Sequence, residues 1–203
     1  MLHAVTTDDV LQDPLFVQRA RDVMKACGPK VAVHLRAGRL DARTLYRIAS
    51  ALVADEDRTG AWVLVNDRVD VALAAGTRGA QLTSRSLSVE DARLAAPSIL
   101  LGASVHTEAE AIAAEVAGAD WVVAGNVFRT HTHPDRDALG IEFARRIAAS
   151  ARIPTVANGG ITPEHVRPLR AAGIAGIAAI RGVWGTDDAA AAASDYLSQY
   201  DAQ

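Results

Sequence analysis

The sequence predicts a single (β/α)8 TIM barrel, and three observations lead to this fold class. Short apolar runs alternate with amphipathic stretches from one end of the 203-residue chain to the other. Each apolar run is too short for a globular helix and ends in turn or polar residues, as buried parallel strands do. The alternation recurs roughly every 25 residues and gives the eight strands and eight helices of such a barrel.

The predicted strands are the eight apolar runs, which should pair in parallel in chain order. They cover residues 2–7, 31–36, 62–66, 79–83, 99–104, 121–128, 154–158 and 176–181.

Amphipathic helices are predicted after these strands. Ser88 and Thr162 are typical N-terminal caps, and glycine follows several helices, as at Gly28 and Gly173. The predicted helices cover residues 15–27, 42–54, 69–75, 89–95, 108–117, 141–151, 164–172 and 188–200.

No linker, low-complexity segment or charge block divides the chain, so residues 1–203 are predicted to form one domain. A doubly wound open sheet is the alternative architecture. Such a sheet usually has fewer strands and a break in the alternation, and the sequence shows no break.

The composition is that of an ordinary globular protein, with 50% hydrophobic and 22% charged residues. A formal net charge of −3 argues against nucleic acid or an anionic membrane as a partner. No uncharged apolar run approaches the roughly 20 residues of a membrane span, and the N-terminus lacks the features of a signal peptide. We therefore expect a cytoplasmic protein. Its single cysteine, Cys27, excludes an intramolecular disulfide.

A phosphate site is predicted at the loops after strands seven and eight. Asn158-Gly159-Gly160 follows strand seven, and paired glycines let the backbone approach a ligand closely before a helix begins at Thr162. Ile180 and Arg181, at the end of strand eight, add amide groups and a cation. Phosphate sites after these two strands recur in this fold. A tight turn without any ligand is the alternative explanation of the glycine pair.

Polar side chains also end strands two, three and five. Alternation along strand two places His34 and Arg36 on one side, which suggests anion recognition at the barrel mouth. Asn66 and Asp67 end strand three, where a carboxylate can bind a metal, take up a proton or cap the next helix. Ser104 at the end of strand five points toward the mouth.

The longest irregular loop follows strand six and covers residues 126–137. It is rich in hydroxyl, imidazole and charged groups, and long loops of this kind often contact ligands. His131 and His133 share one face if the segment is extended. The segment lacks a third ligand at the spacing of a zinc site. Acid–base chemistry, hydrogen bonding to a ligand and simple solvent exposure are the alternatives for these histidines.

Taken together, the strand-end motifs resemble those of the thiamin phosphate synthase and TenI family over nearly the whole chain. Residues 65–73 are similar to that family's segment after strand three, and residues 101–108 to its strand-five motif. Residues 118–132 resemble its sixth strand and the loop that follows. Asn158-Gly159-Gly160-Ile161 resembles its phosphate loop. The resemblance implies a TIM barrel that binds a phosphorylated thiazole.

Departures from the synthase pattern favour the TenI branch of this family. The synthase holds Mg²⁺ and pyrophosphate with two aspartates; Asp67 matches the first, whereas Ser86 stands at the second. A lysine of the synthase motif after strand two is absent, with Arg39 one place along. His133 replaces the lysine of the loop after strand six. With fewer groups to neutralise a departing pyrophosphate, the synthase reaction is disfavoured.

The TenI resemblance implies a thiazole tautomerase, an isomerase that shifts a proton on a thiazole carboxylate phosphate and needs no cofactor. The acid–base histidine of that branch falls at Asn126, and an amide cannot transfer protons at neutral pH. The expected catalytic residue is therefore His133, with His131 and His34 as the other candidates. No metal site is expected, and Mg²⁺ would be needed only by a synthase.

The remaining roles that the resemblance implies concern the two ends of the ligand. Phosphate is expected at Asn158, Gly159, Gly160, Ile180 and Arg181. The rest of the substrate is expected at Arg36, Arg39, Asn66, Asp67, Ser104, Asn126, Thr130 and Thr132. The alternative functions are thiamin phosphate synthase, which joins a pyrimidine diphosphate to thiazole phosphate, and a non-catalytic binder of phosphates from the same pathway. The resemblance also implies a homodimer.

Overall fold

A computed structural model describes residues 1–130 and 138–201, and it confirms the predicted TIM barrel. Eight parallel strands follow one another around a closed barrel, and the last strand pairs with the first. The strands are β1 (Leu2–Val5), β2 (Val31–Leu35), β3 (Trp62–Asn66), β4 (Gly79–Leu82), β5 (Leu100–Val105), β6 (Trp121–Gly125), β7 (Thr155–Asn158) and β8 (Gly176–Ala179).

The helices of the described ranges connect these strands on the outside of the barrel. They are α1 (Asp8–Gln12), α2 (Phe16–Cys27), α3 (Ala42–Thr59), α4 (Val69–Ala75), α5 (Val89–Ala95), α6 (Glu108–Val116), α7 (Gly140–Ser150), α8 (Val166–Ala171), α9 (Arg181–Trp184) and α10 (Ala189–Asp201). Among the described helices, no segment combines the length and apolar character that crossing a bilayer requires.

Two apolar layers hold the barrel together. Outside it, helix residues such as Phe16, Leu52 and Leu169 pack on the outward-facing strand residues. Inside it, side chains at alternate strand positions fill the lumen, because successive strand residues point to opposite faces. Ala32, Leu64, Trp121, Val156 and Ala178 form this interior cluster. The lumen is therefore a packed core, and ligand space is left only above it.

Six predicted strands are longer than the observed ones, three of them by at least two residues. Strand one ends at Val5 because Thr7 caps α1, where its side chain accepts a hydrogen bond from the Val10 amide. Strand six ends at Gly125, after which the chain runs along the loop that follows β7. Strand eight ends at Ala179 because Arg181 begins α9.

Candidate active site

A cavity of about 1330 Å³ opens at the carboxyl ends of the strands, where TIM-barrel enzymes bind their substrates. Most of the predicted site residues line it: His34, Arg36, Asn66, Ser104, Asn126, Thr130, Asn158, Gly159, Gly160, Ile180 and Arg181. Arg39 and Asp67 do not line it. The predicted residues His131, Thr132 and His133 lie outside the described part of the chain.

The loops after β7 and β8 form one side of this cavity. Gly159 and Gly160 have φ values of 103° and 62°, which residues with a side chain rarely adopt. Within residues 1–130 and 138–201, the N–H groups of Gly159, Gly160 and Gly182 donate to no protein acceptor. Unpaired amides beside a glycine turn are the donors that a phosphate group needs.

The glycine pair also has a packing role. The Val127 amide donates to the Asn158 carbonyl at 2.8 Å, and the Phe128 amide donates to the Gly159 carbonyl at 3.0 Å. A Cβ atom on Gly160 would lie 2.2 Å from the Arg129 carbonyl oxygen. A side chain at Gly160 would therefore displace the loop after β6 as well as any phosphate, so this position does not test phosphate binding cleanly.

His34 lies beneath the cavity with 2% of its surface exposed. Its Nε2 atom is 2.7 Å from Nδ1 of His3 on β1, and both rings are buried. Burial lowers the pKa of His34 to about 4, although the neighbouring Asn66 side chain partly opposes the shift. Burial also holds the pKa of His3 well below its usual value. Both rings are neutral at physiological pH, so His34 suits a hydrogen-bonding role and is poorly suited to supply a proton.

A chain of hydrogen bonds crosses the cavity floor on the other side. The Trp121 indole donates to Gln81 Oε1 at 2.9 Å, and Gln81 Nε2 donates to Ser104 Oγ at 3.1 Å. Gly102 leaves room for this arrangement, because a Cβ atom there would lie 2.2 Å from the Trp121 ring. The network fixes the Ser104 hydroxyl at the cavity surface.

Asn66 leaves one acceptor unsatisfied at the same floor. Its side chain is 5% exposed, and its Oδ1 atom has no hydrogen-bond partner among the described residues. A buried unpaired oxygen costs on the order of 1–3 kcal/mol. A ligand that donates an N–H or O–H group to Asn66 would remove that cost.

Asp67 is committed to the loop after β4. Its Oδ1 atom accepts hydrogen bonds from the Thr83 amide at 3.0 Å and from the Thr83 hydroxyl at 2.6 Å. Its Oδ2 atom lies 3.6 Å from the Arg85 guanidinium. These contacts also explain its φ of 61°, an uncommon backbone conformation for a residue other than glycine.

The residues that match the metal-binding positions do not fit a Mg²⁺ site. The Asp67 carboxylate is shared between Thr83 and Arg85, and Ser86 bonds to the Thr83 backbone through its hydroxyl. In the described part of the chain, no three His, Cys, Asp or Glu side chains come together as metal ligands. A Mg²⁺ ion prefers carboxylate oxygens and waters in octahedral geometry, and this loop places a guanidinium there instead.

Arg39 is likewise engaged away from the cavity. Its guanidinium pairs with Asp9 at 3.0 Å and lies 3.7 Å from Asp8, and its side chain is 71% exposed. The Asp8 carboxylate also accepts the Gly38 and Arg39 amides. Asp8 thus ties the loop after β2 to the first turn of α1.

The structure adds site residues that the sequence analysis missed. His106 lines the cavity, and its Nδ1 atom is 2.8 Å from the Gly125 carbonyl oxygen. A carbonyl only accepts, so Nδ1 carries the proton and Nε2 is the acceptor of the neutral ring. Gln81 and Arg85 also line the cavity. Strand alternation could have identified Gln81 and His106, since they share the parity of Thr83 and Ser104 on their strands.

The described lining of the cavity is electropositive although the whole chain is acidic. Among the described residues, Arg36, Arg85, Arg129 and Arg181 line it, against the carboxylates Glu90 and Glu110. The Arg36 guanidinium forms no ion pair with the described residues. An excess of cations in a concave site concentrates anionic ligands.

Comparison with known proteins agrees with these features. A family model described as "Thiamine monophosphate synthase" (TMP-TENI) matches residues 2–183. The thiamine-phosphate synthase of Pyrococcus horikoshii is 40% identical over 161 residues, which cover 79% of this chain and 78% of that protein. The thiamine-phosphate synthase of Methanoculleus marisnigri is 37% identical over 194 residues, which cover 95% and 91% of the two chains.

A solved structure is similar over almost the whole chain. The structure titled thiamine phosphate pyrophosphorylase from Pyrococcus furiosus superposes with a TM-score of 0.86 at 34% identity, covering 98% of this chain and 95% of that one. These relatives contradict our expectation of a thiazole tautomerase, because proteins 36–40% identical over most of the chain are named synthases. That expectation gave too much weight to the absence of the second metal-binding aspartate and of the two lysines.

Proposed function

Because the chain belongs to the thiamine monophosphate synthase family, we propose that it is a thiamine-phosphate synthase. This enzyme is a transferase of thiamin biosynthesis that joins a pyrimidine diphosphate to thiazole phosphate and releases pyrophosphate. The observation that carries the proposal is the presence of two anion-binding regions in one cavity. A transferase that takes two phosphorylated substrates needs both.

The two regions face each other across the barrel. Asn158, Gly159, Gly160 and Arg181 belong to the loops after β7 and β8, whereas Arg36 and Arg85 belong to the loops after β2 and β4. In a closed barrel of eight strands in chain order, β3 lies opposite β7. We assign the glycine-lined side to the monophosphate of the thiazole and the arginine-lined side to the diphosphate of the pyrimidine.

The floor between these regions would receive the reacting rings. Asn66 offers its unpaired Oδ1, Ser104 offers a fixed hydroxyl, and His106 offers Nε2. These groups can orient two heterocycles through hydrogen bonds. Holding two reactants in one geometry converts a bimolecular step into an effectively unimolecular one, which is a large part of the rate enhancement that such a site can supply.

Negative charge develops on the departing pyrophosphate. The bond from carbon to the diphosphate oxygen breaks, its electron pair leaves with pyrophosphate, and the carbon forms its new bond to the thiazole. Fixed cations next to that oxygen stabilise the transition state more than the ground state. Arg36 and Arg85 are the cations on the proposed diphosphate side.

The proposal is tested by incubating the purified chain with pyrimidine diphosphate and thiazole phosphate. We expect thiamine phosphate and pyrophosphate to appear in equal amounts, each measured by chromatography. Arg36→Gln should lower kcat/KM by at least tenfold, whereas Arg47→Gln, on the exposed face of α3, should leave it unchanged. Tight binding of thiazole phosphate without any product, at all concentrations of both substrates, would show a binding protein and refute the synthase.

A further inference from the structure

We infer that the diphosphate side of the cavity binds pyrophosphate without a divalent metal ion, with the Arg85 guanidinium standing beside Asp67 as its cation. The inference rests on the proposed function, because that function supplies the reason for a pyrophosphate site. It goes further by assigning the cation of the site to this chain's own arginines.

The Asp67 carboxylate has little capacity left for a metal. One oxygen accepts two hydrogen bonds from Thr83, at 3.0 and 2.6 Å, and the other faces Arg85 at 3.6 Å. Its side chain is only 18% exposed. A Mg²⁺ ion bound to the second oxygen of Asp67 would also lie close to the Arg85 guanidinium. Two cations that close repel each other.

The Ser86 hydroxyl is engaged in hydrogen bonds within this loop and does not serve as a metal ligand. Its hydroxyl donates to the Thr83 carbonyl and accepts the Thr83 amide, both at 2.8 Å. The Arg85 amide in turn donates to the Thr83 hydroxyl at 3.3 Å. Asp67, Thr83 and Ser86 thus form a network of hydrogen bonds with one another, and the exposed Arg85 side chain lies beside this network.

Arg85 is placed to bind an anion. Its side chain is 66% exposed, and it lines the cavity together with Arg36. The Asp67 carboxylate orients the guanidinium from behind, and the planar fork of donors can then face a phosphate group with two parallel N–H bonds. Arg36, which forms no ion pair with the described residues, supplies the second cation.

The test measures binding of inorganic pyrophosphate to the full chain by calorimetry, once with a chelator and once with excess Mg²⁺. We expect pyrophosphate to bind at least as tightly with the chelator as with Mg²⁺, because Mg²⁺ in solution competes with the site for the anion. Arg85→Gln should weaken binding at least tenfold with the chelator present, and Arg47→Gln should not change it. Binding that requires Mg²⁺, no binding in either buffer, or loss through Arg181→Gln rather than Arg85→Gln would overturn the inference.

The variant Asp67→Asn distinguishes a metal site from an arginine site, because the two sites predict different effects on pyrophosphate binding. Asparagine tolerates the positive φ and can still accept the Thr83 hydrogen bonds. If Asp67 were a metal ligand, this change would weaken pyrophosphate binding in Mg²⁺ at least tenfold. If Arg85 is the cation, removing its counter-charge leaves binding as tight as before or tighter, and this is the expected result.

The same measurements keep the inference distinct from the proposed function. Metal-independent pyrophosphate binding that is lost in Arg85→Gln, without any formation of thiamine phosphate, would support the site and refute the synthase. Formation of thiamine phosphate by a chain that binds pyrophosphate only in Mg²⁺ would support the synthase and refute the metal-free site.

Discussion

Glu56 is a carboxyl group buried at the end of the barrel away from the cavity, with 6% of its surface exposed. Its Oε1 atom accepts the Val63 amide at 2.5 Å and the Arg78 amide at 3.3 Å. Burial raises the pKa of Glu56 from 4.5 to about 7, against the effect of these hydrogen bonds. Between these values the folded chain binds more protons at this residue than the unfolded chain does.

This difference predicts a stability that falls as the pH rises. The contribution of Glu56 is complete below pH 4.5 and is lost as the pH passes 7, and its size is on the order of 3 kcal/mol. Glu56→Gln should therefore remove this part of the pH dependence, as measured by urea unfolding at pH 5, 6, 7 and 8. Glu142→Gln, on the exposed side of α7, is the matched control. If the free energy of unfolding depends on pH in the same way for the Glu56 variant and for the unaltered chain, the raised pKa of Glu56 is contradicted.

Strand parity was enough to predict several cavity residues, whereas tertiary partners decided others. His34, Arg36 and Ser104 line the cavity because their strand positions aim them there. Arg39 and Asp67 are also polar residues that follow strands, but contacts with other loops hold them away from the cavity. Arg39 is held by Asp8, at a separation of 31 residues, and Asp67 by Thr83, at a separation of 16. Sequence patterns report local geometry and do not reveal such pairings between loops.

At the scale of elements, α10 supports the glycine loop after β7. Tyr196 on α10 is 1% exposed, and its hydroxyl donates to the Ile161 carbonyl at 2.9 Å. The helix also packs along α2, so the loop is tied to the outer layer of the barrel. The position of the proposed phosphate donors thus depends on a helix that contributes almost nothing else to the cavity.

Removing this hydrogen bond should loosen the loop. Tyr196→Phe leaves the buried Ile161 carbonyl without a donor, so we expect a loss of about 1–2 kcal/mol in the free energy of unfolding. Binding of thiazole phosphate should weaken severalfold in calorimetry. Tyr46→Phe, on the exposed face of α3, should change neither quantity. Unchanged phosphate affinity in the destabilised Tyr196 variant would show that the loop holds its shape without the helix.

Helices of about one turn could not be predicted from the periodicity of the sequence. The helices α1 and α9 have five and four residues, fewer than the two turns over which an amphipathic pattern becomes visible. Both begin within three residues of the end of a strand, so predicted strand one ran up to Thr7, just before α1, and predicted strand eight included Arg181, the first residue of α9. The long helices, with their caps and apolar faces, lie close to their predicted positions.

For the whole molecule, closure of the sheet depends on β1. Leu2 pairs with Val31 of β2 on one side and with Ile177 of β8 on the other. Parallel strands joined by helices in strict alternation favour closure into a ring. The eightfold repeat of the sequence therefore predicted the topology more securely than any single residue predicted the site.

Deletion of residues 1–6 tests this dependence. The deletion would leave two unpaired strand edges and expose the interior cluster around Ala32 and Ala178. We expect the cooperative thermal transition, followed by circular dichroism, to disappear. A cooperative transition within a few degrees of that of the full chain would show that the other seven strands are stable without β1.

The hydrogen bonds of Trp121 have an optical consequence. The indole is 4% exposed and is linked through Gln81 to the Ser104 hydroxyl at the cavity surface. Of the two other tryptophans of the chain, Trp62 lies beside Arg78 with its ring 6.4 Å from that of Trp121, and Trp184 packs against Phe16. With Trp62 and Trp184 replaced by phenylalanine, the remaining fluorescence comes from one indole. A ligand that takes over the Ser104 hydroxyl changes the polarity around that fluorophore, so the barrel carries its own emission probe for titrating an unlabelled substrate.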